Sequence, residues 1–257
     1  MIDLHVHLLP DWDDGAEDWD EMFKMAEVAH KDGIEKIVLT PHVGRLTKYE
    51  DDLEVLDERM MQFKLRSGGI PIEFTRGAEV FVDYRIIKRI WENKLTINGT
   101  NYVFVGFPID RVEEGVNELF YRMMLDGLIP IICHPERNEA FAERPDLLYE
   151  LVQLGCRAMV TGLSLTGDFG SETKKLAQLF LVNNLVHVIA SDAHDAENWA
   201  PRLSEAVEKA KKIVGEEKAE AMVQAIPQAI LDNKEIPDYG EPQNPLRKKW
   251  GIRVKLR

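Results

Sequence analysis

Imidazoles and carboxylates are the side chains that hold transition metals, and five of the seven histidines in this 257-residue chain fall at or just past the ends of short apolar runs. His5 and His7 stand two apart in IDLHVH, so on an extended strand both point to one face and can grip a cation. His42 follows an aliphatic run in TPHV, Glu79 lies in GAEV, His134 in CHPERN, and Asp192 and His194 in ASDAH. A lone strand-end histidine is commonly a satisfied hydrogen-bonding residue. Five gathered with carboxylates point instead to metal. Mixed nitrogen and oxygen donors suit zinc, manganese, iron or nickel better than calcium or magnesium, and so many ligands imply two or three ions. His30, inside a helical stretch, and His187, opening a strand, are expected off this site as structural residues.

Other phosphoryl and acyl chemistries lack their residues. A cysteine phosphatase needs an arginine six residues beyond its thiolate, and Glu139 and Gly162 occupy that place after Cys133 and Cys156. No Walker GKS or GKT occurs, and GLSLTG misses a nucleophile elbow by one residue. Cys133 alternates to the strand face opposite His134, so both cysteines read as core. In PDWDDG, Asp11 and Asp13 read as caps of the first helix, whereas Asp14, beside Gly15, can turn toward the histidines.

Positioning these groups requires strands, which the pattern predicts at Ile2 to Val6, Lys36 to Leu39, Ile72 to Thr75, Tyr102 to Val105, Ile129 to Cys133, Arg157 to Val160 and His187 to Ala190. Apolar spacing places helices between them: Trp19, Met22, Phe23 and Ala26 share a face, as do Leu53, Leu56, Met60 and Phe63. Further helices carry Val116, Leu119, Phe120 and Met123, then Leu176, Leu179 and Phe180, then Leu203, Ala206, Val207, Ala210 and Ile213. Seven βα units predict an α/β chain, a single-domain seven-stranded TIM-like barrel with the ligands on one rim. An open doubly wound sheet is the alternative, without the glycine fingerprint that usually accompanies it. The barrel is expected over residues 1–240 and a basic tail over 241–257, with six basic residues after Leu246 as a solvated patch.

Composition narrows the rest. Lys plus Arg total 32 and Asp plus Glu 45, and a net charge of −13 argues against a nucleic-acid partner. Two cysteines make no disulfide framework, the N-terminus lacks a signal-peptide pattern, and no apolar run is long enough to insert in a membrane. The expected location is the cytoplasm.

IDLHVHLLPDWDDGAED, TPH, GAEV, CHPERN, TGLSLTGDFG and ASDAH, in this order, resemble the polymerase-and-histidinol-phosphatase (PHP) superfamily. Within it the match is to the bacterial tyrosine-protein phosphatases of capsular and exopolysaccharide operons, the CpsB/YwqE type. The resemblance runs from Met1 to about Asn233. It implies a distorted seven-stranded PHP barrel with three metals, manganese first and iron or zinc as alternatives, acting on the tyrosine-phosphorylated C-terminal tail of a bacterial tyrosine kinase. By motif position it implies His5, His7, Glu79 and Asp192 at the first metal, with Glu79 bridging to the second. His134 belongs to that second metal, and Asp14, His42 and His194 to the third. Arg137 of HPER is implied on the substrate phosphate.

Two positions depart from the family pattern. Gly106 in VGFPID stands where the family has a glutamate ligand, so the second position is weakened unless a neighbour such as Asp110 helps. Trp199 stands where an arginine often holds phosphate, with Arg202 the nearest substitute. The expected reaction is metal-assisted hydrolysis of phosphotyrosine, with Arg137 neutralising phosphoryl charge. His42 or His194 can act as an acid if one escapes full commitment to metal. Three other readings stay open: a PHP phosphoesterase acting on a small phosphomonoester such as histidinol phosphate; an amidohydrolase, disfavoured because no lysine lies between Tyr102 and Leu125; and a weakened barrel that binds phosphotyrosine or a kinase without turnover.

Overall fold

Every strand pairing in the computed structural model is parallel, and the description covers residues 1–49 and 52–246. The chain runs β1 (Ile2–Val6), α1 (Trp19–Lys31), β2 (Lys36–Leu39), β3 (His42–Val43), α2 (Leu53–Arg66), β4 (Glu73–Arg76), β5 (Glu79–Phe81), α3 (Ile86–Asn93), β6 (Tyr102–Gly106) and α4 (Val116–Leu125). It continues through β7 (Ile129–Ile132), α5 (Glu139–Glu143), α6 (Pro145–Leu154), β8 (Arg157–Thr161), α7 (Gly162–Thr166), α8 (Ser171–Val182), β9 (Val188–Ala190), α9 (Ser204–Val214), α10 (Glu216–Ala221) and α11 (Ala225–Leu231).

The strands form a three-stranded sheet, β1-β2-β4, and a six-stranded sheet, β3-β5-β6-β7-β8-β9. Nine strands in two ladders thus replace the seven expected in one. The physical reason lies at two breaks. Pro41 lacks an amide hydrogen and parts β2 from β3, and Gly77–Ala78 parts β4 from β5. At these breaks the Gly77 amide donates to the Leu39 carbonyl at 2.8 Å, and the Glu79 amide donates to the Pro41 carbonyl at 3.1 Å. A parallel bridge between Val6 and Ala193 joins β1 to the segment after β9, so the sheet curls back toward its first strand.

Most strands are covered on both faces and are short apolar runs such as YVFVG in β6, where every residue is buried, whereas β4, EFTR, has no fully buried residue. β1 is buried throughout yet carries polar residues. Its period of two sends Asp3, His5 and then His7 to the inside, all fully buried, while Ile2, Leu4 and Val6 pack the other face.

The helices follow their apolar stripes. Asp18 caps α1 by accepting from the Glu21 amide at 2.8 Å, and Met22, Met25, Ala26 and Ala29 are its buried face. Phe23, expected on that face, is instead 41% exposed. Burying a leucine, phenylalanine or methionine contributes roughly 1.5–3 kcal/mol, so such stripes hold the helices to the sheet. Beyond α11 the chain straps back: the Tyr102 hydroxyl donates to the Lys234 carbonyl at 2.8 Å, and the Gln243 amide to the Asn183 carbonyl at 2.8 Å. The basic residues expected as a solvated patch, 247–257, lie outside the described residues. Among those described, no helix is long and apolar enough to cross a membrane.

Candidate metal centre

Strand ends bring the ligands together. His5 leaves β1 pointing inward, its ring packed edge-on against Phe104 of β6 at 4.7 Å. The loop after β1 then folds back onto the strand, with the Ala16 amide donating to the His7 carbonyl at 3.0 Å. Gly15 permits this approach, because a Cβ there would lie 2.1 Å from the His7 carbonyl oxygen. The fold-back buries Asp13, whose Oδ2 accepts from His7 Nδ1 at 2.9 Å and from the His42 amide at 2.9 Å, while Oδ1 accepts from the Gly15 amide at 3.0 Å. Asp13 is therefore no helix cap. It holds a proton on His7 Nδ1 and so turns Nε2 toward the centre, as the atom that would ligate a cation. Asp11 does not cap α1 either; it faces Lys48, Tyr49 and Arg59 at the surface.

Three overlapping groups result: His5, His7, Glu79 and Asp192; His5, Glu79, Cys133 and His134; and His7, Asp14, His42 and His194. Within each group the ligating atoms lie within 4.8 Å of one another. His5 Nε2 lies 3.2 Å from His7 Nε2, 3.2 Å from Glu79 Oε2 and 3.3 Å from Asp192 Oδ1. His42 turns Nδ1 toward Glu79 Oε2 at 3.2 Å and Nε2 toward Asp14 Oδ1 at 3.3 Å. His194 Nδ1 lies 2.7 Å from the Asp192 carbonyl oxygen, which leaves Nε2 facing Asp14 Oδ1 at 3.5 Å.

Burial alone lowers the pKa of His5 and His7, but Asp192 and Glu79 beside the first and Asp13 beside the second outweigh it and hold both above the ordinary value. Burial pushes the Glu79 and Asp192 carboxyls up, yet the facing imidazoles, led by His42 and His134 respectively, hold both well below the usual carboxylate range. Protein groups leave the cluster incomplete: both Glu79 oxygens, His5 Nδ1 and His42 Nδ1 are buried without a hydrogen-bond partner. Cations meet that need, and this donor set fits borderline transition ions.

At the β6 and β7 ends the expectations for Asp110 and Cys133 are corrected, while that for Gly106 stands. Gly106 contributes no donor, and a Cβ there would lie 2.3 Å from Glu79 Oε1, so Glu79 leans over the glycine. Asp110 does not rescue the position: it is exposed, pairs with Arg111 at 3.1 Å and belongs to none of the three groups. Cys133 is buried but does not face away; it lines the cavity beside His134. Simple alternation fails because the strand ends at Ile132 and His134 adopts a left-handed backbone, φ 31°. Burial raises the Cys133 thiol pKa well above its ordinary value, with Glu79 and Asp192 adding to it. Cys156 is core, as expected.

Arg137 pairs with Asp192 Oδ2, and its guanidinium lies over the rings of Phe169 at 4.8 Å and Trp199 at 4.6 Å. Trp199 also stacks on His194 at 4.1 Å. Arg202, expected as a phosphate clamp, is exposed and does not line the cavity; Arg45 and Arg111 share its wall with Arg137. His30 is exposed on α1, and His187 lies outside the three groups, with Nδ1 3.2 Å from the Ala158 amide.

The sequence reading missed Asp13, Cys133 and Phe169, and also Glu136, whose buried Oε1 accepts from the Thr161 amide at 2.9 Å and Ser164 Oγ at 2.7 Å. HPER and SLTGDFG are both visible as motifs, but their coupling through Glu136–Ser164 and Arg137–Phe169 exists only in three dimensions.

These groups share a cavity of about 670 Å³ whose lining also includes the apolar side chains of Leu46, Phe81, Phe107 and Ile109. Fold and site together define a curled α/β protein with overlapping groups of His, Asp, Glu and Cys side chains able to hold metal ions at its strand ends. The family model for capsular polysaccharide synthesis, CpsB/CapC, matches residues 1–232, and the chain belongs to that family. Tyrosine-protein phosphatase YwqE of Bacillus subtilis (strain 168) is 33% identical over 252 residues, covering 97% of this chain and 98% of that protein. Tyrosine-protein phosphatase CpsB of Streptococcus pneumoniae is 26% identical over 239 residues, covering 90% and 98%. A crystal structure from a pair comprising YwqE and CpsB, described as metal-dependent tyrosine phosphatases, matches with a TM-score of 0.88 at 33% identity, covering 95% of this chain and 99% of that one. Histidinol phosphate phosphatase from Lactococcus lactis matches in fold alone, with a TM-score of 0.53 at 16% identity over 84% of this chain and 93% of its own.

Proposed function

We propose that this chain is a metal-dependent protein-tyrosine phosphatase that hydrolyses phosphotyrosine on a bacterial tyrosine kinase governing capsule or exopolysaccharide synthesis. The observation that carries the reading is the joining of three four-residue ligand groups to a cavity lined by arginines and by apolar side chains. The working unit is residues 1–240. Counting each interrupted pair, β2 with β3 and β4 with β5, as one stave reduces nine strands to seven, which supports reading the curled sheet as a PHP barrel.

His5, His7, Glu79 and Asp192 would hold one ion, Glu79 and His134 a second, and Asp14, His42 and His194 a third. Bound there, divalent transition ions supply Lewis acidity and an acidified water nucleophile. Protein groups do the rest. Arg137, ion-paired to Asp192 and packed over two touching aromatic rings, presents fixed positive charge to phosphoryl oxygens with little entropy left to lose. Leu46, Phe81, Phe107 and Ile109 suit an aryl ring, which favours phosphotyrosine over phosphoserine. Tyrosine leaves as a phenolate whose conjugate acid has a pKa of about 10, so little proton donation is required. That suits the site: the Nδ1 and Nε2 atoms of His42 both face carboxylates, and His194 Nδ1 faces a carbonyl oxygen. We therefore assign both histidines to ligation and neither to acid catalysis. Arg45 and Arg111 at the wall take the place assigned to Arg202 in meeting an anionic peptide.

The test is a substrate panel: phosphotyrosine peptide, phosphoserine peptide and histidinol phosphate, each with metal-counted protein. Selective turnover of the first is expected. Preference for histidinol phosphate would move the activity to small phosphomonoesters, and binding of the peptide without turnover would make the chain a binding barrel.

A further inference from the structure

We propose that Cys133 is a thiolate ligand of the second metal position, completing a Glu79–Cys133–His134 donor set that β6 does not serve. The proposal rests on the reading of this site as a metal centre. Ligating atoms of His5, Glu79, Cys133 and His134 all lie within 4.8 Å of one another. Cys133 is 2% exposed and lines the same cavity as His134. Two consecutive residues share one cavity because β7 stops at Ile132 and His134 takes a left-handed conformation, a costly choice for a non-glycine residue. Glu79, only 1% exposed, is the independent sign of a ligand here: neither of its oxygens has a hydrogen-bond partner.

The opposite wall explains why a thiol is needed. Gly106 has no donor, and the Glu79 carboxylate lies where its Cβ would be, 2.3 Å from that point. Asp110, the next carboxylate on the loop, is paired to Arg111 and belongs to none of the ligand groups. Glutamate, cysteine and histidine with an open position match the three-ligand pattern of catalytic zinc sites. On binding, the S–H bond breaks, a sulfur–metal bond forms, and the proton leaves to solvent, with no change in oxidation state. A thiolate makes this position prefer zinc or iron(II) over manganese, unlike the all-imidazole-and-carboxylate group of His7, Asp14, His42 and His194.

The experiment uses the full chain, stripped with chelator and reloaded anaerobically with Co²⁺, with bound cobalt counted and the near-ultraviolet absorption recorded. Sulfur-to-cobalt charge transfer arises only from a thiolate ligand, and the chain has just two cysteines to supply one, Cys133 and Cys156. The band is expected in the unaltered protein and in Cys156→Ser, and is expected to vanish in Cys133→Ser and Cys133→Ala. Cobalt should fall by one ion per chain in the alanine variant, and Zn²⁺ should quench the band where equal Mn²⁺ does not. A cobalt-loaded protein without the band, or a band surviving Cys133→Ser, would overturn the proposal while leaving the metal centre intact. Should the Cys133 variants not fold, unaltered protein and Cys156→Ser decide: no band in the first, or its loss in the second, overturns the assignment. Binding of no cobalt at all would overturn the metal reading with it.

Discussion

Replacing Asp13 by asparagine keeps the shape of a buried side chain and removes its charge, so it isolates what that carboxylate does for His7. Asp13 accepts at 2.9 Å from His7 Nδ1, at 2.9 Å from the His42 amide and at 3.0 Å from the Gly15 amide. An asparagine can keep its oxygen toward His7 and His42, but its amide group then meets the Gly15 N–H, donor against donor. That conflict costs about 1–3 kcal/mol of folding stability. The opposite rotamer sets the amide against two donors and is worse. Losing the negative charge also makes His7 a less basic ligand held by a weaker hydrogen bond, and partners of this kind change metal affinity by about 10–100-fold, or about 1.4–2.7 kcal/mol. Since His7 belongs to two of the three ligand groups, more than one ion should feel it. The assay is competition for Zn²⁺ against a colorimetric chelator, beside urea unfolding of the stripped proteins. Asp13→Asn with affinity within about twofold of the unaltered protein, well short of the effect partners of this kind produce, and an unchanged unfolding midpoint would refute the reasoning.

Gly106→Ala places a carbon 2.3 Å from Glu79 Oε1 and must displace a carboxylate shared by two ligand groups. Turnover per chain should fall at least about tenfold with bound metal reduced; kinetics and metal content equal to the unaltered protein would contradict the geometry. Trp199→Ala removes the ring under His194 at 4.1 Å and under Arg137 at 4.6 Å. Its kcat/KM on a phosphotyrosine peptide should drop by about tenfold, a loss near 1.4 kcal/mol, and Trp199→Phe should recover part of it; no change in either variant would count against the platform role. Burial, aided by Arg157 and Lys218, pulls the His187 pKa from 6.5 down to about 3. Below pH 6.5 the unfolded chain takes up a proton that folded His187 refuses, so stability present above that pH is lost on acidification at about 1.4 kcal/mol per unit. His187→Gln should lose about 2–3 kcal/mol less than the unaltered protein between pH 6.5 and about pH 4.5, as read by urea unfolding; parallel pH profiles would exclude this origin.

Much of the site was legible because it obeys strand periodicity. His5 and His7 share a face by the period of two, and His42, Glu79, His134 and Asp192 sit where apolar runs end. Tertiary events hid the rest. The expected strands stop at Leu39 and Thr75, whereas the chain resumes β3 and β5 beyond Pro41 and Gly77, which changed the strand count. Alternation carried past Ile132 sent Cys133 to the wrong side, because a left-handed turn at His134 has no signature in ICHPERN. Asp13 and Asp14 are adjacent and chemically alike, and only the fold-back of Gly15 onto His7 makes one a buried acceptor and the other a half-exposed carboxylate over His42 and His194. Trp199 looked like a lost arginine; in the fold its ring supports one already present, Arg137.

The most direct test of the central claim is a metal titration of chelator-stripped protein, following phosphotyrosine-peptide hydrolysis against ions bound per chain, with His134→Ala beside it. Turnover should be absent in the stripped protein, rise as ions bind and level off when the site is full, and stay near background in the variant. Turnover that persists without metal, or that His134→Ala leaves intact at full loading, would contradict it.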